Sequence, residues 1–307
     1  MYLSSYSSTR THKMPYKNIA VIGAGNIGAP IAKALLAEGA NVIVVSRAES
    51  KHSKNLPSEI KVVSVSLTDV SALAALFKEH KIEVVVSTVA HEALPHQHLL
   101  ADAAKQAGVK LFVPSEFGYS TLGITEGELG IKAQFGEYIE KIGLPFTRIF
   151  VGPSPPPHCT PELTCASQNG GFISYIPWLL GVSTGNVQIL GNGDKKATFT
   201  DIEDIAGFVA YVLTHLTPSE LENKYFRIQG ESASFVEIAE YYKLPVERVT
   251  AFGGPDGPFR TLLHRLIESG KGSVGYSALV GKELTAGESN ALWKGHHWKG
   301  IKEGLGL

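Results

Sequence analysis

Apolar residues along the chain fall into short runs separated by longer segments with helical periodicity. Residues 84–86 are three consecutive valines, and such uninterrupted runs are typical of parallel strands covered on both faces. Strands are predicted at residues 19–22, 41–45, 61–65, 83–89, 110–114 and 146–151. Helices are predicted between them, at residues 30–36, 70–80, 95–107 and 132–141. This alternation predicts an α/β fold, a Rossmann-type doubly wound parallel sheet.

The pattern changes after residue 152, where the proline-rich residues 153–157 interrupt regular structure. Beyond this point, strands are predicted at residues 186–190 and 225–228, and helices at residues 202–213 and 259–268. Another helix is predicted to begin at Ser234 and end near Tyr242, because Ser234 and Glu237 have the spacing of a capping box.

These patterns divide the chain into a Rossmann domain and a smaller C-terminal region. The Rossmann domain is predicted at residues 15–152 and the C-terminal region at residues 153–307, with about 186–230 returning to the Rossmann core. Residues 1–14 are rich in serine and basic residues, and we expect them to form a disordered leader.

Composition narrows the class of function. The chain has 307 residues, 44% of them hydrophobic, and a formal net charge of −1. It contains no basic patch with interleaved aromatic residues and no apolar run approaching the roughly 18 residues of a membrane span. Cys159 and Cys165 have no nearby ligand pair, so we predict neither a disulfide framework nor a metal site. We therefore expect small-molecule chemistry in the cytoplasm, with neither nucleic acid nor membrane as a partner.

A glycine-rich turn follows the first predicted strand and opens the first predicted helix. Its sequence is GAGNIG, residues 23–28. Gly23 allows the tight turn, Gly25 lets the backbone approach a pyrophosphate, and Gly28 lets the helix pack on the strand. Asn26 and Ile27 lie between these glycines and are expected to contact the same ligand. The motif predicts a dinucleotide site, and a glycine turn without a ligand is the alternative.

The end of the second predicted strand indicates which dinucleotide is bound. An enzyme that prefers NAD usually has an acidic residue here, whereas this chain has Ser46 and Arg47. The Arg47 guanidinium matches a 2′-phosphate, Ser46 can hydrogen-bond it, and Lys51 adds a second positive charge. The predicted cofactor is NADPH. The alternative is that Arg47 and Lys51 are solvated loop charges.

Further candidates follow the fourth predicted strand. Ligands of doubly wound sheets bind beyond the carboxyl ends of the strands. Thr88, Val89 and Ala90 occupy that position and are expected to contact the cofactor. His91 comes next and could approach the substrate, although a single histidine in a loop is more often solvated or packed.

Lys132 is the candidate acid or base. The Tyr-x-x-x-Lys pair of ordinary short-chain dehydrogenases is absent, since Tyr138 has Lys141 only three residues on. A lysine near a nicotinamide can transfer protons once burial or nearby positive charge lowers its pKa. The alternative is that Lys132 is a surface lysine in the first turn of a helix.

Several of these residues carry a resemblance to a known family. Residues 109–118 (VKLFVPSEFG), Lys132 and residues 143–147 (GLPFT) resemble, in order and spacing, the isoflavone reductase and phenylcoumaran benzylic ether reductase group. This group lies within the NmrA-like atypical short-chain dehydrogenases, and the resemblance is strongest to its fungal members. The glycine turn and residues 290–293 (NALW) extend it over most of the chain. It implies an NADPH-dependent reductase in which Lys132 assists proton transfer and helps to hold the substrate and the nicotinamide ribose.

The substrate implied by this resemblance is an aromatic or conjugated small molecule. Aromatic residues that could line its pocket, or could equally belong to the core, are Phe117, Phe150, Phe172, Tyr175 and Trp178. Plant members carry an Asn-x-Phe stretch after the sixth strand, where this chain has Gly152, Pro153 and Ser154, so substrate identity is left open. A redox sensor that binds NADP(H) without turnover is the alternative function, and Lys132 argues against it. A homodimer is the assembly considered.

Overall fold

The structure is a computed structural model that describes residues 15–46, 55–152, 173–182 and 185–307. The strands are β1 (Asn18–Ile22), β2 (Asn41–Val45), β3 (Lys61–Val63), β4 (Val84–Ser87), β5 (Leu111–Val113), β6 (Thr147–Phe150), β7 (Val187–Leu190), β8 (Lys196–Phe199), β9 (Lys224–Arg227), β10 (Glu231–Ser234), β11 (Val246–Val249), β12 (Tyr276–Ser277) and β13 (Lys282–Glu283). The α-helices are α1 (Gly28–Ala37), α2 (Val70–Glu79), α3 (Gln97–Ala107), α4 (Gly127–Ile142), α5 (Ile176–Leu179), α6 (Ile202–His215), α7 (Pro218–Leu221), α8 (Phe235–Tyr242), α9 (Gly257–Leu266) and α10 (Ile301–Leu305).

A parallel sheet in the order β3-β2-β1-β4-β5 forms the centre of the molecule. A parallel bridge between Phe112 and Phe146 joins β5 to the start of β6, and β6 pairs in parallel with β9. The chain order reverses between β1 and β4, and this switch point is where doubly wound sheets bind ligands. The predicted Rossmann-type α/β fold is confirmed.

Both faces of this sheet are buried, as the uninterrupted apolar runs predicted. In β1, Ile19 and Val21 belong to a core shared with α1 and α6, whereas Ala20 and Ile22 face the core of α2, α3 and α4. All four side chains are fully buried. Alternate residues of the strand therefore face two hydrophobic cores, one on each face of the sheet. The connecting loops lie at the ends of the strands.

The fourth predicted helix begins earlier than the sequence indicates. We expect it at residue 132, but α4 begins at Gly127. Its first turn contains Gly127 and Gly130, poor helix formers that hide the start from a periodicity argument. Gly130 is needed there, because a Cβ at this position would lie 2.6 Å from the carbonyl carbon of Thr125. Lys132 consequently lies in the second turn of α4 and not at its opening.

The C-terminal region has a hydrophobic core of its own. β7 pairs with β11 and β8 with β10, and α8 and α9 pack over them. The capping box predicted at Ser234 and Glu237 is present. Residues 186–230 were expected to return to the Rossmann core. Within them, α6 packs on α1 and β9 extends the central sheet, whereas β7 pairs outside that sheet. Among the described residues, no helix has both the length and the apolar character that a bilayer crossing requires.

Candidate active site

The glycine turn is tight and packs closely on the start of α1. Gly23 has a φ of +102°, which a residue with a side chain rarely adopts. A Cβ on Gly28 would lie 2.3 Å from the carbonyl oxygen of Gly23, so close packing of α1 on the turn demands glycine. A Cβ on Gly25, by contrast, would meet no described atom within 4 Å. No described atom therefore requires glycine at position 25. A ligand that approaches the backbone there would require it.

Thr88 fastens the end of β4 to this turn. Its Oγ1 donates to the carbonyl oxygens of Ile22, at 2.9 Å, and of Gly23, at 3.3 Å. The Thr88 backbone N–H also donates to Ile22, at 2.9 Å. The two strand ends at the switch point therefore form one hydrogen-bonded unit. Val89, the next residue, is buried, and Ala90 is exposed beside it.

Ser115 continues the connection from β4 to β5. Its Oγ donates to the carbonyl oxygen of Val89 at 2.9 Å. The backbone N–H of Ser115 donates to Oε1 of Gln97, which is buried at the start of α3. The loop after β5 is thus held against the loop after β4, and the residue that follows Ser115 takes a defined position.

Lys132 reaches that following residue, Glu116, from α4. Its Nζ donates to the backbone carbonyl oxygen of Glu116 at 2.8 Å, and the lysine is only 7% exposed. Burial lowers the pKa of Lys132, and the nearby carboxylates of Glu116 and Glu128 oppose this effect. A continuous path of hydrogen bonds and peptide links now leads from the glycine turn, through Thr88 and Ser115, to Lys132. The alternative of a surface lysine in the first helical turn is wrong.

The carboxylate of Glu116 is held in a buried ion pair with Arg148 of β6. Nε and Nη2 of Arg148 both lie 2.7 Å from Oε1 of Glu116, and both side chains are at most 3% exposed. Thr121 completes the group, since its Oγ1 donates to Oε2 of Glu116 at 3.2 Å and accepts from Nη2 of Arg148. Every oxygen of this carboxylate is therefore hydrogen-bonded inside the protein.

Two of the aromatic residues proposed for a substrate pocket are buried. Phe117 has an unusual φ of +31° for a residue with a side chain, and its backbone N–H donates to Ile149 at 3.2 Å. Phe117 packs in the core under α1 and α6, and Phe150 is fully buried, with the Arg148 guanidinium 5.6 Å from its ring centre. Neither side chain presents open surface in this structure.

The other two described aromatic candidates lie in the C-terminal region. The hydroxyl of Tyr175 accepts a hydrogen bond from Nδ2 of Asn26 at 2.8 Å, which brings it directly to the glycine turn. Trp178 lies in α5, where its Nε1 donates to Asp256 at 3.4 Å and its ring packs against Phe259. The structure thus joins Tyr175 to the cofactor-binding candidates, while Trp178 packs within the C-terminal core.

The remaining candidates have different positions. Ser46 is buried at the end of β2, where its N–H donates to Val63, and Ile27 packs against the core beside α1. Arg47, Lys51 and Phe172 lie outside the described residues. His91 begins a short 3₁₀-helix after β4, and its side chain is likewise not among those described.

Arg148, Thr121 and Gln97 are site components that the sequence did not reveal. The one available signal was Arg148, a charged residue within a mostly apolar predicted strand, since such a residue needs a buried partner. The pattern of apolar positions does not indicate which acid that partner is. The glutamate was visible in the PSEFG segment, but only the fold brings the two together.

A surface cavity of about 360 Å³ lies elsewhere and is not this site. It is lined by Glu140, Gly143, Leu144, Pro145, Phe146, Asn223 and Tyr225. Phe146 and Asn223 directly precede β6 and β9, so the cavity is at the amino ends of the strands. The glycine turn and Glu116 follow β1 and β5 and lie at their carboxyl ends.

Comparisons with known proteins agree with this geometry. Phenylcoumaran benzylic ether reductase 1 of Arabidopsis thaliana is 28% identical over 267 residues, covering 80% of this chain and 79% of that protein. Oxidoreductase aprR of Aspergillus flavus is 30% identical over 232 residues, covering 72% of this chain and 71% of that protein. The solved structure of leucoanthocyanidin reductase from Vitis vinifera with NADPH shares the fold, with a TM-score of 0.70 at 21% identity over 94% of this chain and 98% of that one. The model of the NmrA-like family matches residues 15–252, so the chain belongs to the NmrA-like family, as its resemblance implied.

Proposed function

We propose that this protein is an NADPH-dependent reductase of an aromatic or conjugated small molecule. The observation that carries the proposal is Lys132, a buried lysine of lowered pKa that is joined to the glycine turn through Glu116, Ser115 and Thr88. A protein that only binds a dinucleotide has no need of such a group at this place. The reductase and oxidoreductase names of its relatives support the same reaction class.

The residues proposed to hold the cofactor surround the switch point. NADPH, when bound, supplies the hydride. The N–H groups at the start of α1, together with Asn26 and Ile27, would hold its pyrophosphate, and the open space at Gly25 would admit it. Arg47, with Ser46 and Lys51, holds the 2′-phosphate. Thr88, Val89, Ala90 and Lys132 would hold its nicotinamide end.

Lys132 is proposed to give a proton to the substrate oxygen that becomes negative as hydride is added. An ammonium group of lowered pKa releases its proton more readily than a free lysine does, which suits a proton donor. The Glu116 carbonyl orients Nζ without neutralising it. This role needs a substrate oxygen within hydrogen-bonding distance of Nζ.

Of the substrate candidates that the structure describes, Tyr175 is the one hydrogen-bonded to the glycine turn, and its contact with substrate stays a prediction. His91, Phe117, Phe150 and Trp178 stay predictions as substrate contacts. The aromatic substrate class follows from the relatives, one of which is named for a phenylcoumaran benzylic ether. A homodimer in the cytoplasm stays the expectation, and light scattering during gel filtration tests the assembly.

The test of this function is NADPH consumption by the wild-type protein across aromatic ketones, enones and benzylic ethers. Turnover of at least one class, with product reduced by one hydride and one proton, supports the proposal. Tight NADPH binding without turnover across the whole panel would favour the redox sensor instead. If the protein does not bind NADPH at all, both the reductase and the redox sensor are excluded.

A further inference from the structure

The buried ion pair beneath Lys132 is not used by the proton transfer itself. Glu116 and Arg148 are at most 3% exposed, and neither side chain is among the groups proposed to contact substrate. Buried ion pairs are seldom the cheapest way to stabilise a core, since apolar residues of similar size serve at least as well. The position of this pair therefore calls for another explanation.

The ion pair restrains Glu116, the residue whose backbone carbonyl oxygen accepts the hydrogen bond from Nζ of Lys132. Glu116 presents its carbonyl oxygen to Nζ at 2.8 Å, while its carboxylate is clamped by Arg148 and Thr121 on the other side. The next residue, Phe117, has a φ of +31°, a conformation that the surrounding structure must hold in place. Glu116 directly precedes Phe117, and both of its carboxylate oxygens are hydrogen-bonded. The anchored Glu116 side chain therefore helps to hold the Phe117 backbone in place.

Arg148 also contacts the helix that carries Lys132. Gly136 lies one turn after Lys132 on α4, and a Cβ there would be 2.3 Å from Nη1 of Arg148. The missing side chain at Gly136 thus makes room for the guanidinium against the same helical face. Rings of Phe150 and Tyr225, each 5.6 Å from the guanidinium carbon, complete its surroundings.

We propose that Glu116 and Arg148 form a positioning pair that sets both the place and the electrostatic surroundings of the Lys132 ammonium. This inference rests on the proposed function for its purpose, although the pair can be tested without a substrate. Among the described residues, the charged groups that face Lys132 are Glu116 on the β5–α4 loop and Glu128 on α4, with Arg148 on β6 balancing Glu116. Neutralising one member of the pair therefore leaves the other unbalanced next to Nζ.

The two single variants should change the pKa of Lys132 in opposite directions. Glu116→Gln keeps the backbone carbonyl but leaves Arg148 positive, so the pKa of Lys132 should fall further. Arg148→Met leaves Glu116 negative, so the pKa should rise. The double variant removes both charges and should return the pKa close to that of the wild type. A merely structural pair would show no such reversal of sign.

The experiment is an NMR titration of the full-length protein with ¹³C at lysine Cε. The Lys132 signal is identified by its absence in Lys132→Arg, and Glu83→Gln, which breaks an ion pair with Lys110 at the other end of the sheet, is the matched control. If Arg148→Met does not fold, Glu116→Gln alone decides. A fall in the Lys132 pKa in Glu116→Gln but not in Glu83→Gln supports the positioning pair, and an unchanged or raised pKa overturns it. Absence of turnover on the substrate panel would defeat the proposed function while leaving this titration valid.

Discussion

Nδ2 of Asn26 donates a hydrogen bond of 2.8 Å to the hydroxyl oxygen of Tyr175, so a residue of the C-terminal region is fastened to the glycine turn. The two residues are 149 positions apart in sequence. Because the hydroxyl oxygen accepts from Asn26, the Tyr175 proton is free to donate to a further acceptor. The turn that would hold the pyrophosphate is therefore coupled to the segment that begins the substrate side.

Tyr175→Phe should weaken NADPH binding modestly. The change removes one hydrogen bond and the orientation that it gives Asn26, a loss of about 1 kcal/mol or roughly fivefold in affinity. Fluorescence titration with NADPH measures it. Tyr242→Phe is the control, because the Tyr242 hydroxyl is buried without a hydrogen-bond partner among the described residues and belongs to α8. Equal affinities in the two variants would exclude Tyr175 from the cofactor site.

Gly25 and Gly28 should respond to alanine in different ways. The Cβ that Gly25→Ala adds meets no described atom within 4 Å, so the fold should tolerate the change. NADPH binding should be lost, because the Cβ occupies the space proposed for the cofactor. Gly28→Ala places a Cβ 2.3 Å from the carbonyl oxygen of Gly23, and such overpacking should lower the free energy of unfolding by about 1–3 kcal/mol. Thermal unfolding and NADPH titration measure the two effects separately.

Gly253→Ala is the control for this comparison, since a Cβ at Gly253 also meets nothing within 4 Å. It should preserve both stability and cofactor binding. If Gly25→Ala binds NADPH as tightly as Gly253→Ala does, the space beside Gly25 is not a ligand site.

Arg47→Ala should reduce affinity for NADPH much more than affinity for NADH. The two nucleotides differ at the 2′-phosphate, which the guanidinium is proposed to bind through paired hydrogen bonds. Competition titrations with both nucleotides, on the wild type and the variant, give the ratio of the two affinities. Equal losses for NADPH and NADH would defeat the assignment of Arg47.

His264 should make the fold sensitive to mild acid. Its ring is fully buried between Phe235 and Phe252, its Nε2 lies 3.0 Å from the carbonyl oxygen of Leu179, and burial lowers its pKa from 6.5 to about 4. The unfolded chain binds this proton more readily than the folded protein does. Stability is therefore complete above pH 6.5 and is lost as the pH falls toward 4, by on the order of 3 kcal/mol for a difference of about 2.5 units.

Urea unfolding between pH 7.5 and 4 measures this dependence. His264→Gln carries no titrating ring and should show a flatter dependence over the same interval, even if it is less stable throughout. The same slope in both proteins would mean that other groups cause the acid sensitivity.

The sequence predicted the elements of the Rossmann core well because each depends on local pattern. Uninterrupted apolar runs located β1, β2 and β4, and the glycine spacing located the turn before α1. Five strands were not predicted: β8, β10, β11, β12 and β13. β10 is the polar sequence ESAS and β11 is mostly exposed, so neither carries an apolar signal.

The site was only partly predictable for a related reason. Gly23, Thr88 and Lys132 stood out through their type and place relative to strand ends. The contacts that position the site join residues far apart in the chain. Arg148 is 32 residues from Glu116, and Tyr175 is 149 residues from Asn26. Such contacts are fixed by how the helices pack on the sheet, and no single stretch of sequence records that packing.

The central claim is that Lys132 acts in turnover and does not merely support the fold. Lys132→Met should lower kcat/KM on the best substrate of the panel by about 10²–10⁴-fold, the usual contribution of a positioned acid, while NADPH affinity falls by far less. Lys141→Met, an exposed lysine on the same helix, should retain activity. The decisive measurement is steady-state NADPH oxidation by both variants beside the wild type: loss in Lys132→Met alone is the result we predict, and undiminished turnover in Lys132→Met would contradict the account.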